Sequence, residues 1–171
     1  MHVVLVEPQI APNTGNIIRL CANTGAELHL VRPLGFRMDD ASLQRAGLDY
    51  HEYAQVTVHD HLDGARAILR GRWFAFSASG RHRFTDVTYR SDDVLMFGTE
   101  RTGLSSEVLS AVGADRLLTI PMMPHNRSLN LANAVSVVVY EGWRQAGFAG
   151  AADAPDAHDA LVETVGLTTE A

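Results

Sequence analysis

Short apolar runs alternate with stretches of helical spacing along most of the chain. The apolar runs are rich in β-branched and aromatic residues and end in polar or glycine-bearing loops, which is typical of buried strands. The predicted strands lie at 2–6, 27–31, 55–59, 73–78, 93–98 and 116–120. The predicted helices lie between Asn13 and Gly25 and at 39–47, 61–70, 105–112 and about 129–146. This alternation predicts an α/β fold with a mainly parallel sheet flanked by helices on both faces.

The last predicted helix is the most apolar part of the sequence. From Leu131 to Tyr140 it is apolar nearly all round, so it has to be covered on every side. In a chain of this size the pattern favours a symmetric dimer interface. A central helix buried within one subunit is the alternative.

Length and composition indicate one globular domain followed by a tail. The chain has 171 residues with 46% hydrophobic content, which suffices for one well-filled core. We place this domain at 1–148. Residues 149–171 are rich in Ala and Asp, carry five acidic and no basic residues, and are expected to be disordered or weakly helical. Neither a membrane span nor an export leader is recognisable, so we expect a cytoplasmic protein.

The net charge of −6 is unevenly distributed along the chain. The tail contributes −5 of it, which leaves about −1 on the body. All 14 basic residues are arginine, whose planar fork binds phosphate in a bidentate way. Six of them fall between residues 66 and 90. This stretch fits either an RNA-contacting surface or a solvated, arginine-biased face, and charge alone does not decide.

The residues that commonly bind metals or act as nucleophiles give little signal. Cys21 is the single cysteine and lies at an apolar helical position, so we predict a buried hydrophobe rather than a catalytic thiol. Among the eight histidines only His59 and His61 are closely spaced, and they are expected on different faces of a strand or turn. No metal site is therefore expected.

Two loops that follow predicted strands carry candidate chemistry, because ligands bind beyond the carboxyl ends of parallel strands. In the first, Asn16 and Arg19 lie three residues apart near a helix start, where unpaired N–H groups attract anions. In the second, residues 97–104, glycines allow a close backbone approach. Glu100 in that loop is expected to accept hydrogen bonds from loop amides or from a ligand amine. Each loop alone also fits an ordinary turn.

A third loop, residues 121–130, joins the last strand to the last helix. Two prolines stop the strand, and Ser128 is the expected N-cap of the helix. Asn130 and Asn133 are three residues apart on the first helical turn, where they can meet a ligand or a neighbouring loop. We likewise expect Asn13 to cap the first helix and Gly25 to end it.

Together, the segments "NTGNIIR", "GTERTGL" and "SLNLANAVSVVVYE" resemble the three motifs of the knotted SPOUT methyltransferases. The stretches "EPQIAPNTGNIIRLCANTGAELHLVRPLGF" and "RAGLDYHEY" are similar to the minimal bacterial enzymes that 2′-O-methylate the wobble nucleotide of tRNA. The resemblance runs from about residue 2 to 148. It implies a deep C-terminal trefoil knot over roughly 74–146 and a homodimer formed through the C-terminal helix.

The same resemblance implies S-adenosylmethionine as the cofactor and no metal. The implied cofactor-binding residues are Phe76, Ser77, Gly98, Thr99, Glu100, Gly103, Ile120, Ser128, Leu129 and Asn133. The implied catalytic residues are Arg19, which clamps a phosphate and stabilises charge on the 2′-oxygen, Asn16, which holds Arg19 or the ribose, and Tyr140 in a dimer-built site. The candidates for RNA contact are Arg19, Arg127, Arg81 and Arg83.

The resemblance implies the anticodon stem-loop of tRNA as substrate, with leucine tRNAs expected, and cytidine or uridine as the methylated nucleotide. Three alternatives stay open: methylation at another tRNA or rRNA site, a non-catalytic RNA-binding module of the same fold, and a nucleotide-binding oxidoreductase of ordinary doubly wound topology. The absence of a G-x-G-x-x-G fingerprint counts against the last.

Overall fold

The computed structural model describes residues 1–38 and 56–152, and it confirms the alternation of strands and helices. The strands are β1 (His2–Val6), β2 (Glu27–Val31), β3 (Val56–His59), β4 (Trp73–Phe76), β5 (His82–Arg83), β6 (Val94–Phe97) and β7 (Leu117–Thr119). The helices are α1 (Ala11–Thr24), α2 (Leu62–Ile68), α3 (Ser106–Val112) and α4 (Leu131–Gln145). The helix predicted at 39–47 lies outside the described residues.

All seven strands belong to one parallel sheet in the order β3-β2-β1-β6-β4-β7-β5. The predicted α/β class is therefore confirmed. Strand β5 was not predicted, because its two residues are exposed and carry no apolar pattern. In this order β1, β6, β4 and β7 are consecutive, so the loops that follow their carboxyl ends meet at one edge of the sheet.

Each face of the sheet carries its own apolar layer. Successive residues of a strand point to opposite faces, so Val3 and Leu5 pack on a first face with α1 and α4. Val4 packs on the second face, together with residues of α2 and α3. Leu5 has no exposed surface. Replacing such a residue by alanine costs about 2–5 kcal/mol, so this core fixes the positions from which the loops emerge.

Helix α4 is buried on one side only. Val135, Val138 and Val139 are at most 1% exposed and pack into the first-face core. Val137 and Tyr140 on the opposite side are 41% and 46% exposed. The described residues thus bury one side of α4, and Val137 and Tyr140 form an exposed apolar stripe on the other.

Two predicted helix caps are wrong and one helix end is confirmed. Helix α1 begins at Ala11 with Ile10 at the N-cap, because Pro12 presets the helical φ angle in its first turn. Helix α4 is capped by Asn130 rather than Ser128: its Oδ1 accepts hydrogen bonds from the amides of Ala132 at 2.9 Å and Asn133 at 3.4 Å. Gly25 ends α1 in the left-handed conformation, with a φ of 70°. This helix end agrees with the prediction, since glycine adopts that conformation without strain.

Within residues 1–38 and 56–152, no helix combines the length and the apolar character needed to cross a membrane. Of the predicted tail, only residues 149–152 are described. The indole Nε1 of Trp143 donates to the carbonyl oxygen of Ala149 at 3.1 Å, so the start of the tail lies against the end of α4.

Candidate active site

A cavity of about 320 Å³ opens at the edge of the sheet where β4, β6 and β7 end. Its volume falls within the usual range of small-molecule sites. It is formed by the ends of these strands, the loop 98–104, the loop 120–129 and the first turns of α4. Its lining is Phe76, Ser77, Ala78, Phe97, Gly98, Thr99, Glu100, Arg101, Thr102, Gly103, Leu104, Leu109, Thr119, Ile120, Met122, Ser128, Leu129, Leu131 and Ala134.

The loop after β6 is folded back tightly on itself. Thr99 and Gly103 exchange two backbone hydrogen bonds of 3.2 and 3.0 Å. Gly103 has a φ of 70°, and a Cβ atom at Gly98 would overlap the backbone of Gly103. Both glycines are therefore required by the backbone, and the loop brings its main chain to the cavity without intervening side chains.

Glu100 holds this loop against the segment that leads into α1. Its Oε2 accepts a hydrogen bond from the amide of Gln9 at 2.8 Å, and its Oε1 accepts from the amide of Ile10 at 3.0 Å. Asn13 adds a side-chain donor at 3.2 Å from Oε1. The expectation that Glu100 accepts hydrogen bonds from loop amides is confirmed. Such bonds to a charged acceptor are the stronger kind, so they fix the loop firmly.

Asn13 links the same network to the third loop. It is 6% exposed, and its Oδ1 accepts a hydrogen bond of 2.9 Å from Nδ2 of Asn130. Asn130 is also the N-cap of α4. One chain of hydrogen bonds, from Glu100 through Asn13 to Asn130, therefore joins all three motif loops. This role of Asn13 could not be predicted, because its burial and its partners become known only from the structure.

Nine of the ten residues predicted to bind the cofactor line the cavity, and the exception is Asn133. Phe76 and Phe97 form an apolar wall, with ring centroids 4.6 Å apart and an angle of 9° between the planes. The cavity thus combines an aromatic wall, a tightly folded loop whose backbone requires Gly98 and Gly103, and few charges. These features fit a bent adenosine-containing sulfonium ligand.

The residues predicted to be catalytic lie outside the cavity lining. Asn16 and Arg19 are exposed on one face of α1. Tyr140 is exposed on α4, where the centroids of its ring and of the Trp143 ring are 5.7 Å apart.

The residues predicted to contact RNA are also on the surface. Arg127 is exposed in a segment, 121–130, whose residues are all exposed. Arg81 and Arg83 are exposed beside or within β5. The structure therefore gathers the cofactor candidates in one place and leaves the RNA candidates spread over the surface.

Comparison with known protein families defines the class. The family model described as the SpoU rRNA methylase family matches residues 1–140. The parallel α/β sheet, the cavity and the match to this family model together identify the protein as a methyltransferase. The chain belongs to the SpoU rRNA methylase family, which confirms the expected enzyme class.

Individual relatives agree with this assignment. A protein of Burkholderia cenocepacia named tRNA (cytidine(34)-2′-O)-methyltransferase is 55% identical over 154 residues, which cover 88% of this chain and 99% of the relative. The crystal structure of an RNA methyltransferase from Bacillus anthracis is 41% identical, has a TM-score of 0.82, and covers 90% of this chain and 98% of its own.

Two further solved structures bear on substrate and cofactor. One, described as concerning 2-OH methylation of C/U34 on tRNA, is 43% identical with a TM-score of 0.78 and covers 85% of this chain and 90% of its own. An AdoMet-bound rRNA methyltransferase from Sinorhizobium meliloti is 26% identical with a TM-score of 0.71 and covers 84% of this chain and 55% of its own.

Proposed function

We propose that this protein transfers the methyl group of S-adenosylmethionine to the ribose 2′-hydroxyl of nucleotide 34 of tRNA, cytidine or uridine, with leucine tRNAs as the preferred substrates. The observation that carries the proposal is the cavity at which the three motif loops are tied together by Glu100, Asn13 and Asn130. The 55% identity to a tRNA (cytidine(34)-2′-O)-methyltransferase supports the substrate. A tRNA substrate also favours a cytoplasmic location.

The cofactor site is proposed to be the cavity itself. S-adenosylmethionine supplies an electrophilic methyl group when it is bound there. Phe76 and Ile120 present apolar surface suited to adenine, and the main chain at Gly98 and Thr99 offers hydrogen-bonding groups. Leu129 and Ser128 lie on the opposite wall, where the entrance to α4 closes the cavity.

The substrate side is proposed to depend on α1. The guanidinium group of Arg19 can clamp a phosphate and stabilise negative charge that develops on the 2′-oxygen. Asn16 lies one turn earlier on the same face and can hold the ribose or the guanidinium group. Arg127, Arg81 and Arg83 are exposed and suited to bind the phosphate backbone of the anticodon arm.

The active form is proposed to be a homodimer built on α4. Val137 and Tyr140 form an exposed apolar stripe on that helix, which supports this assembly. A second subunit laid on the stripe would bring its own residues toward the open side of the cavity, which suits a role for Tyr140 in the site. Sedimentation of wild-type protein and of Val137→Glu should give a dimer and a monomer, respectively. A monomeric wild type would contradict the proposal.

The chain path is proposed to form a trefoil knot over about 74–146. Strand β4 lies between the two later strands β6 and β7, and α4 then returns to pack beside α1 on the first face, which supports a threaded path. Such paths are rare, so an electron-density trace in which 131–145 does not pass through an earlier loop would contradict it. The domain is proposed to end near 148, and removing 150–171 should leave methyl transfer intact.

The central experiment is methyl transfer with a labelled cofactor. Purified protein, labelled S-adenosylmethionine and total tRNA should yield label in tRNA, and nucleoside mapping should place it on the ribose of nucleotide 34. Purified leucine isoacceptors should be better substrates than the others. Label on a base or at another position would overturn the assignment. Cofactor binding without any transfer would instead indicate a non-catalytic RNA-binding module.

A further inference from the structure

Four side chains with metal-ligating groups lie together on the second face of the sheet. His2 is the first residue of β1, Glu27 and His29 belong to β2, and His59 ends β3. The β2 members alternate with Leu28 and Leu30, which point to the first face, so the cluster faces the side covered by α2 and α3. His2 and Glu27 open their strands, whereas the candidate active site is built from residues that follow strand ends. The cluster is therefore a separate feature.

Three ligand atoms in this cluster converge. Nδ1 of His2 lies 3.3 Å from Oε2 of Glu27, and Nε2 of His29 lies 3.9 Å from the same oxygen. All three atoms lie within 4.8 Å of one another. In a tetrahedral site with bonds of about 2.0–2.1 Å the ligand atoms are separated by about 3.3 Å. Small side-chain movements of Glu27, which is 61% exposed, and of His2 reach that spacing.

Nε2 of His29 is buried and has no hydrogen-bond partner, and the whole of His29 is only 3% exposed. Nδ1 of His2 is also buried, and its one polar neighbour among the described residues is Oε2 of Glu27 at 3.3 Å. Buried polar atoms are nearly always satisfied, so an unsatisfied nitrogen turned toward the same carboxylate calls for an explanation. A cation held between the three side chains supplies it, because each nitrogen then donates its lone pair to the ion.

His59 gives His29 the orientation that a metal ligand needs. Nδ1 of His29 lies 3.1 Å from Nε2 of His59. When His29 donates its Nδ1–H to His59, its Nε2 carries the free lone pair that points toward Glu27. Histidine ligands usually donate the second ring N–H to a neighbouring acceptor, which fixes both the tautomer and the ring. His59 is 8% exposed, so it is itself held in place by packing.

We propose that His2, Glu27 and His29 bind a divalent transition-metal ion of the zinc class, with His59 as the positioning residue for His29. Two imidazole nitrogens and one carboxylate oxygen suit Zn²⁺, and a water molecule completes four-coordination. The ion joins the first residues of β1 and β2 and thus braces this end of the sheet.

This site was missed in the sequence because its ligands are not closely spaced along the chain. His2 and Glu27 are far apart in the sequence and become neighbours only because the parallel register pairs these two residues. His59 and His61 are closely spaced in the sequence, and of these two only His59 belongs to the cluster. Both strands begin with a residue that can bind a metal, and their parallel pairing brings these two residues together.

Metal binding by the full chain tests the proposal. Protein prepared without a polyhistidine tag and stripped with a chelator should bind one Zn²⁺ per chain in calorimetry. Co²⁺ in place of Zn²⁺ should give the intense visible absorption of a tetrahedral nitrogen and oxygen site. Zn²⁺ should also raise the Tm, because it binds only the folded state.

The variants locate the ion. Glu27→Gln keeps the shape of an exposed side chain and should weaken Zn²⁺ binding at least about tenfold, since losing even an outer partner costs about 10–100-fold. His29→Gln should abolish binding and the rise in Tm. His82→Ala, a change at an exposed histidine of β5, is the matched control and should bind like wild type. Equal affinity in wild type and Glu27→Gln, or no binding by wild type, would overturn the proposal.

Discussion

The proposed active site has a cofactor side, formed by the cavity loops, and a substrate side, formed by exposed residues of α1 and α4. The two sides differ in how firmly the single chain holds their residues. On the cavity side, Glu100 and Asn13 are held by hydrogen bonds of 2.8–3.2 Å that tie separate loops together. On the other side, Asn16 and Tyr140 are exposed and lie outside the cavity lining.

This difference indicates that the cofactor side is preorganised before the substrate binds. A site whose donors and acceptors are already fixed binds its ligand without further ordering, which suits a small cofactor. Asn16 on α1 and Tyr140 on α4 are exposed, and in the proposed assembly the second subunit and the RNA complete this half of the site. The four predictions below test this contrast, beginning with the largest effect on turnover.

Replacing Arg19 by alanine should reduce turnover about 100- to 1,000-fold, because a charged group that stabilises the developing oxyanion is lost. Cofactor affinity should not change, since Arg19 lies outside the cavity lining. Single-turnover methyl transfer and calorimetry with S-adenosylmethionine measure the two quantities separately.

The matched control for this change is Arg116→Ala. Arg116 is also an exposed arginine, but it precedes β7 and so lies at the opposite end of the strands from the cavity. It should retain wild-type turnover. If Arg19→Ala weakened cofactor binding and left the rate of methyl transfer in the cofactor-bound enzyme unchanged, Arg19 would belong to the cofactor side of the site.

Replacing Glu100 by glutamine should act on the other half. The amide group would place a donor against the backbone N–H groups of Gln9 and Ile10, so the loop would lose at least one of its hydrogen bonds. We expect cofactor affinity to fall about tenfold and the free energy of unfolding to fall by about 1–3 kcal/mol. Glu107→Gln, at an exposed glutamate in the first turn of α3, is the control: cofactor affinity should not change, and the loss of stability should stay below about 1 kcal/mol.

Local patterns were sufficient for six of the seven strands described, whereas the residues around the cavity were predicted from the family resemblance. Short apolar runs predicted β1 and β2 to the residue, and the glycines of 98–103 marked a loop with an unusual backbone. No local pattern shows that the side chain of Asn13 accepts a hydrogen bond from Asn130, 117 positions away, and this long-range contact is part of why the predicted caps were wrong.

The histidine cluster escaped prediction for the same reason. Whether His2 meets Glu27 depends on strand register, which is a property of the assembled sheet. The sequence therefore gives the elements and the exits of the loops, while contacts between distant elements require the structure.

The corrected cap provides a smaller test. Asn130→Ala should lower the free energy of unfolding by about 1 kcal/mol, because it removes the cap of α4, and it should slow methyl transfer only a few-fold. Ser128→Ala should leave stability unchanged, since Ser128 is not the cap. Urea denaturation of the two variants decides which residue caps α4. An equal loss of stability in both would show that Ser128 contributes to the cap.

Asn130→Asp refines this test. An aspartate keeps the acceptor for the amides of Ala132 and Asn133 but cannot donate to Oδ1 of Asn13. Stability should stay close to wild type, while cofactor affinity should fall, because only the link between the loops is broken. A full recovery of affinity would show that Asn130 acts on the cavity through the cap alone.

Cys21 should have the smallest effect on turnover, although it lies two residues from Arg19 on α1. It is 2% exposed and packs in the first-face core. Cys21→Ala should therefore cost about 1 kcal/mol of stability and leave methyl transfer unchanged. Burial raises the pKa of its thiol to about 12, so the folded protein keeps the neutral form at pH 8. A thiol reagent should therefore label Cys21 only after unfolding.

The direction of the pKa shift also fixes how this stability depends on pH. The unfolded thiol ionises near about 8.5, so the unfolded chain loses its proton first as the pH rises, and the folded state is progressively disfavoured. The stability advantage of wild type over Cys21→Ala should accordingly be complete below about pH 8 and shrink above it. Denaturation of both proteins from pH 7 to 10 measures this difference. An advantage that stayed constant to pH 10, together with rapid labelling of the native protein, would mean that the inner face of α1 is as open as the face that carries Arg19.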